Sequence, residues 1–142
     1  LLPRMQKIAE QKKIKITLDI IENSERVPCQ IDMELMEQLF SNLIENAIKY
    51  SFEEGIILIR IFWNATSTKI EIEDFGRGVP ETARKDIVNH FSRADTSSKI
   101  KGYGLGLSIA QKIAHLHGTM IILEDKETPG ALFSIELPHN KK

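Results

Sequence analysis

The chain has 142 residues, the usual size of one domain, and a hydrophobic share of 42% is enough for a core, which argues against disorder. Nineteen basic against twenty acidic side chains leave a formal charge of -1, without the basic excess of a typical nucleic-acid binder. One cysteine, Cys29, excludes a disulfide framework and a cysteine-only metal cluster, and no apolar run approaches the roughly 20 residues of a membrane span. With no signal peptide opening the chain, it reads as a cytosolic domain, in which the sequon Asn64-Ala65-Thr66 carries little weight.

In chain order, Leu1, Leu2, Met5, Ile8 and Ala9 recur at helical intervals with no capping residue ahead of them. The opening twelve residues therefore read as a helix entered midway, a fragment of something longer. From Lys13 the pattern alternates, and Ile14, Ile16, Leu18 and Ile20 predict a strand with one buried face. A short strand around Val27 to Ile31 is expected next, at an edge because of Pro28. Asp32 then caps a long helix whose body is Met33 to Tyr50, with Glu34 in its first turn. Strands follow from Gly55 to about Phe62 and from Lys69 to Asp74, then a short helix from Pro80 to about His90. Residues 91 to 103 are polar and weakly periodic and read as a mobile loop. A helix from Gly104 to His117, stopped by Gly118, precedes strands at Met120 to Glu124 and Ala131 to Leu137 around the turn Glu127-Thr128-Pro129-Gly130. Together these predict an α/β two-layer domain with a mixed sheet.

Five of the eight glycines lie in two tight clusters, Gly76 and Gly78, then Gly102, Gly104 and Gly106. Gly55, Gly118 and Gly130 read as ordinary turns. The second cluster leads into a helix, where bare amides and the positive helix end suit a polyphosphate. It is neither a P-loop, since no Gly-Lys-Ser/Thr follows, nor a dinucleotide fingerprint, since Leu107 takes the place of the third glycine. On the long helix, at about 100° per residue, Asn42, Asn46 and Lys49 fall within about 60° of one another. Met36, Phe40, Leu43 and Ala47 form the neighbouring apolar stripe that should face the sheet. Asparagine is a poor helix former, so two of them a turn apart need a reason. Either this is a solvated polar face, or the amide oxygens meet a hydrated magnesium ion, which keeps several waters, while Lys49 meets a phosphate. Asp74 ends a strand just before Phe75-Gly76-Arg77-Gly78. Its carboxylate can accept from an exocyclic amine while the glycines admit a flat base, although many turns share this pattern.

In this order the three pieces resemble the ATP-binding domain of bacterial sensor histidine kinases, in the GHKL superfamily, over nearly the whole chain. Asn42-Leu43-Ile44-Glu45-Asn46-Ala47-Ile48-Lys49-Tyr50 resembles the family's N box, and Asp74-Phe75-Gly76-Arg77-Gly78 its first glycine box. Phe91-Ser92-Arg93-Ala94-Asp95 is similar to the F box, and Gly102-Tyr103-Gly104-Leu105-Gly106-Leu107 to the second glycine box. The resemblance implies the Bergerat ATP-binding fold, a mixed sheet covered on one face by about three helices. It implies the dimerisation-domain helix or linker over residues 1–12 and the catalytic domain over 13–142.

What the resemblance implies about the site can be carried over residue by residue. Asn46 would ligate Mg2+ with Asn42 assisting, Lys49 would contact phosphate, and the Tyr50 ring would pack on adenine. Asp74 would recognise the adenine amine beside Gly76 and Gly78. Gly102, Gly104, Leu105, Gly106 and Leu107 would line the phosphates, in part through backbone amides, and Arg93, in a lid from about Asp86 to Tyr103, would neutralise the transferring phosphoryl group. Asn42, Lys49 and Arg93 are thus the catalytic candidates, with ATP and Mg2+ as cofactors. ATP-hydrolysing relatives carry a glutamate where this chain has Asn42, and Glu45 lies about 60° away on the helical wheel. The domain is expected to hold ATP for a histidine on a separate dimerisation domain of the same protein, with a response regulator downstream. None of His90, His115, His117 and His139 precedes an acid, as the family's phosphoacceptor does, so the fragment alone is not expected to autophosphorylate. His115 and His117 read as helix-end residues rather than metal ligands. The resemblance leaves room for a membrane-anchored, homodimeric full-length protein. The F box departs from the family at His90, where arginine is usual, which motivates an alternative: a pseudokinase-like nucleotide-binding regulatory module without phosphotransfer. A GHKL ATPase clamp is a third reading, against which Asn42 argues.

Overall fold

The computed structural model describes residues 2–22, 31–81, 84, 85, 87 and 106–139. Helix α1 (Leu2–Glu10) leads to strand β1 (Lys15–Glu22), and the long helix α2 (Met33–Tyr50) follows. Strands β2 (Ile56–Trp63) and β3 (Ser67–Asp74), helix α3 (Gly106–Leu116), and strands β4 (Ile121–Glu124) and β5 (Leu132–Pro138) complete the chain. The strands form one sheet in the order β1-β2-β3-β5-β4. The pair β1–β2 is parallel because the connection between them carries a whole helix, whereas β2–β3, β3–β5 and β4–β5 are antiparallel. The mixed sheet and its helices match the predicted α/β two-layer class.

Register converts the alternating sequence into layers. Leu18, Ile59, Ile72, Phe133 and Leu123 form one row across all five strands, and Ile20, Ile61, Ile70, Ile135 and Ile121 the next. These rows belong to the helix-covered face. Asp74 belongs to the same face, opposite Ile57 at the end of β3. The other face carries Arg60, Glu71, Glu73, Lys69 and Glu124, where Arg60 pairs with Glu71 at 2.9 Å and with Glu73 at 2.6 Å. The predicted buried face of β1 is only half realised. Ile14 and Ile16 are buried, but Leu18 and Ile20 are 42% and 51% exposed, because the helices cover the sheet at the other end of this strand.

Helix α2 is the spine of the domain, buried through Met36, Leu39, Leu43, Ile44, Ala47 and Ile48, with Phe40 partly covered. Its start is capped as the sequence predicts, Asp32 Oδ1 accepting from Leu35 N at 3.1 Å. Its end is capped from elsewhere. Lys12 Nζ donates to the carbonyls of Ile48, Lys49 and Ser51 at 3.0, 3.1 and 3.1 Å, meeting the negative end of the helix with a cation. Helix α1 docks on the same core through Met5 and Ala9, and Arg4 Nη2 donates to Ser41 Oγ at 2.6 Å.

Most boundaries agree with expectation within two residues. Strand β3 starts at Ser67 rather than Lys69, because Asn64 Oδ1 accepts from Ser67 N at 2.9 Å and closes a tight hairpin. After Pro80 the described residues Glu81, Arg84, Lys85 and Ile87 are helical, and Ile87 is buried. The strand expected around Val27 to Ile31 lies outside the described residues except Ile31, which belongs to no strand. The loop at 91–103 also lies outside them. Among the described residues no helix is long and apolar enough to cross a membrane.

Candidate functional site

Helix α2 meets both glycine segments. At its C-terminal end the Tyr50 carbonyl accepts from Arg77 N at 3.2 Å, and a Cβ on Gly76 would collide with Tyr50 O and Ser51 Cα. Gly76 is therefore glycine because two backbones cross there. Its vacant side-chain space is filled by α2. Gly78 adopts φ +77, a left-handed conformation that favours glycine, and packs against the backbone of Gly130. Gly130, read from sequence as an ordinary turn, also lies where two backbones cross. It has φ +115, and a Cβ there would collide with Asp74 O and Phe75 Cα.

These crossings enclose Asp74, which is 4% exposed. Its Oδ1 accepts from Gly76 N at 3.0 Å and from Ala131 N at 3.2 Å. Among the described residues nothing donates to Oδ2. Burial pushes the Asp74 carboxyl above its ordinary value, against the two backbone N–H groups and the charge of Lys126, which pull it down. A buried carboxylate with one oxygen committed and one available suits a ligand that offers an N–H.

Lys126 is a residue that sequence reasoning missed. Its Nζ lies 2.8 Å from Glu73 Oε2, donates to Asp74 O at 2.8 Å, and stands 4.2 Å from the centroid of the Phe75 ring. Burial would raise the Glu73 carboxyl, but Lys126 and Arg60 outweigh it and hold Glu73 below its ordinary value. Nothing in a lysine two residues past a strand signals this role.

The other end of the site lies along α2. Asn42 and Asn46 are half-buried and Lys49 is exposed, so the three share a polar flank beside the buried stripe. Asn42 Nδ2 donates to Gly106 O at 3.1 Å, joining α2 to the first residue of α3. Lys49 Nζ stands 5.3 Å from the centroid of the Tyr50 ring. Among the described residues a Cβ on Gly106 would meet Asn42 side-chain atoms alone, at 3.9 Å and beyond, so their packing does not require glycine there. The Leu107 side chain is buried in the core, which leaves only its backbone for a ligand. Arg93, Gly102, Gly104 and Leu105 lie outside the described residues, as does His90. Among the described residues no three His, Cys, Asp or Glu side chains gather as a metal site, so a cation here would rely on amide oxygen, water and ligand oxygens. His117 accepts from Asp32 N at 3.0 Å and meets Ile113 O at 2.8 Å, a helix-end role, and His115 is exposed.

The fold is that of a histidine kinase catalytic domain. It superposes on the nucleotide-free catalytic domain of histidine kinase ThkA with a TM-score of 0.76 at 27% identity, covering 96% of this chain and 87% of that one. The structure of ThkA in complex with the response regulator protein TrrA is matched with a TM-score of 0.71 at 25% identity, over 96% of this chain and 37% of that one. The family model of histidine kinase-, DNA gyrase B- and HSP90-like ATPases matches residues 31–141, and the chain belongs to that family. Similar relatives are named as sensory kinases and histidine kinases. The adaptive-response sensory kinase SasA of Gloeothece citriformis is 35% identical over 91% of this chain, and the circadian input-output histidine kinase CikA of Synechococcus elongatus 27% identical over 94%. The chain spans only 33% and 18% of those two proteins. ATP is the ligand that the family implies.

Proposed function

We propose that this domain binds ATP with magnesium along α2 and delivers the γ-phosphoryl group to a histidine on a dimerisation domain of the same protein. The observation that carries the reading is the double junction of α2, to the Asp74 loop through Tyr50 and to α3 through Asn42. In this reading Asp74 Oδ2 accepts from the exocyclic amine of adenine, with the Tyr50 ring beside the base. Asn46 offers an amide oxygen to Mg2+ with Asn42 assisting, Lys49 meets phosphate, and the amides at Gly104 and Gly106 receive the phosphate oxygens. Bound magnesium would neutralise phosphate charge. Arg93 would add a positive clamp at the transferring group.

Asn42 favours a kinase over a hydrolase. A carboxamide cannot take a proton from water at neutral pH, and this one already donates to Gly106 O. The domain thus keeps ATP for a stronger nucleophile. Residues 1–12 act as the end of the dimerisation stem, and the docking of α1 on α2 through Met5 and Ala9 would carry stem movement to the site. A response regulator receives the phosphoryl group next, in line with the complex solved for ThkA and TrrA. The pseudokinase alternative rests on His90, which lies outside the described residues. Mixing the chain with a dimerisation domain carrying the phosphoacceptor histidine, and following label from γ-labelled ATP, tests the reading. Labelled histidine is expected; an unlabelled acceptor with nucleotide bound would contradict transfer.

A further inference from the structure

On the reading that Asp74 meets the adenine amine, the turn between β4 and β5 takes part in recognition as well. Lys126 holds three consecutive residues at the end of β3: the Glu73 carboxylate, the Asp74 carbonyl and the Phe75 ring. Its side chain is 8% exposed, and its charge is matched by Glu73, so it is placed to hold protein rather than to reach phosphate. The backbone on both sides of Asp74 Cα is fixed from a second direction. Asp74 N donates to Ala131 O at 2.9 Å, and Gly130 packs against Asp74 O and Phe75. The carboxylate therefore hangs from a backbone gripped between two residues of one turn, with Oδ1 already tied to Gly76 N and Ala131 N.

We propose that Lys126 is a positioning residue for purine selection: by fixing the Asp74–Phe75 peptide it aims Asp74 Oδ2 at the exocyclic amine of adenine and so sets the preference for adenine over guanine. The chemistry is directional. Adenine offers an N–H where guanine offers a carbonyl oxygen, and an acceptor aimed at that point gains with the first and is repelled by the second. Loosening the peptide costs the adenine complex its hydrogen bond, while the guanine complex, which never had that bond, loses little. Lys126 also acts through charge. Glu73 and Lys126 are the charged groups that act on the Asp74 carboxyl, in opposite senses, and Lys126 helps to keep it ionised.

The test compares the full chain with Lys126→Met, titrating non-hydrolysable ATP and GTP analogues by calorimetry over a range of pH. Lys126→Met is expected to weaken the ATP analogue about tenfold and leave the GTP analogue within about twofold, a loss of one hydrogen bond to a charged group. The acid limb of ATP binding should move to higher pH, because the Asp74 carboxylate loses its cation. Lys126→Arg, which can still pair with Glu73 and donate to Asp74 O, should restore most of the preference. Lys126→Gln, uncharged and shorter, should repeat the Met result should that variant fail to show a melting transition. Equal loss for both analogues, or no loss, with a native melt would overturn the proposal. Wild-type protein that binds neither analogue would sink the nucleotide reading together with it, whereas wild type that prefers ATP beside an equally selective Lys126→Met sinks the Lys126 assignment alone.

Discussion

The two ends of the site are built by opposite means. Around Asp74 the backbone is crowded: α2 crosses Gly76, Gly130 crosses Asp74, and Lys126 binds what remains. Along the polar flank of α2 the groups are side chains on a regular helix, joined to α3 by a hydrogen bond from Asn42 to Gly106 O. A crowded backbone fixes a direction, which suits selection of a flat base. Side chains on a helix face can turn and exchange water, which suits a hydrated metal and phosphates. On the proposed reading, selectivity and charge handling are separated in space and joined by one helix.

Alanine at the glycines is expected to break this contrast most visibly. Gly76→Ala and Gly130→Ala drive a Cβ into backbone, with positive φ added at Gly130, and should each cost about 3 kcal/mol or more in denaturant unfolding. Gly106→Ala opens the first turn of α3 with room to spare and should keep or raise stability, since alanine is the better helix former. Comparable losses at all three positions would erase the distinction between the two ends.

Asp74→Asn comes next and separates function from stability. The Asn oxygen can keep the bonds from Gly76 N and Ala131 N, but its amide presents a donor or a neutral acceptor to the base. ATP affinity is expected to fall about tenfold with adenine preference lost, while stability at neutral pH holds or rises. The sign follows from the raised carboxyl. Between the ordinary aspartate value and the raised one, the folded chain holds a proton that the unfolded chain has released, so stability falls as pH climbs through that window. Asp74→Asn should lack that slope in unfolding measured across mildly acidic pH.

How much of this was legible in sequence depended on what carried the signal. Asp32, the stripe of α2 and the alternating strands were visible because periodicity and capping are local. The exposed half of β1 was not, since alternation shows which residues share a face and not how far a helix extends over it. At the site, Asn42 and Asn46 stood out as poor helix formers a turn apart, and Lys49 and Asp74 through the resemblance of their segments to family motifs. Gly130 and Lys126 did not: a Pro-Gly turn and a lysine near a strand end are ordinary, and their importance arises only when β5 pairs with β3 and brings the turn over Asp74.

Two smaller effects sharpen the comparison. Asn46→Ala should abolish most of the magnesium dependence of nucleotide affinity, about tenfold, and leave purine preference intact, read from titrations with and without chelator. Ser51→Ala should change stability by no more than about 0.5 kcal/mol, because the buried Ser51 hydroxyl has no partner among the described residues and its removal forfeits no bond. A larger loss in denaturant unfolding would mean that this hydroxyl serves the crossing with Gly76.

The most direct measurement is a calorimetric titration of the chain with a non-hydrolysable ATP analogue, with magnesium and with chelator. One site per chain is expected, tighter with magnesium, weakened by Asp74→Asn through the base and by Asn46→Ala through the metal. Absence of binding, or binding that ignores both substitutions, would contradict a nucleotide held between the two ends of the site.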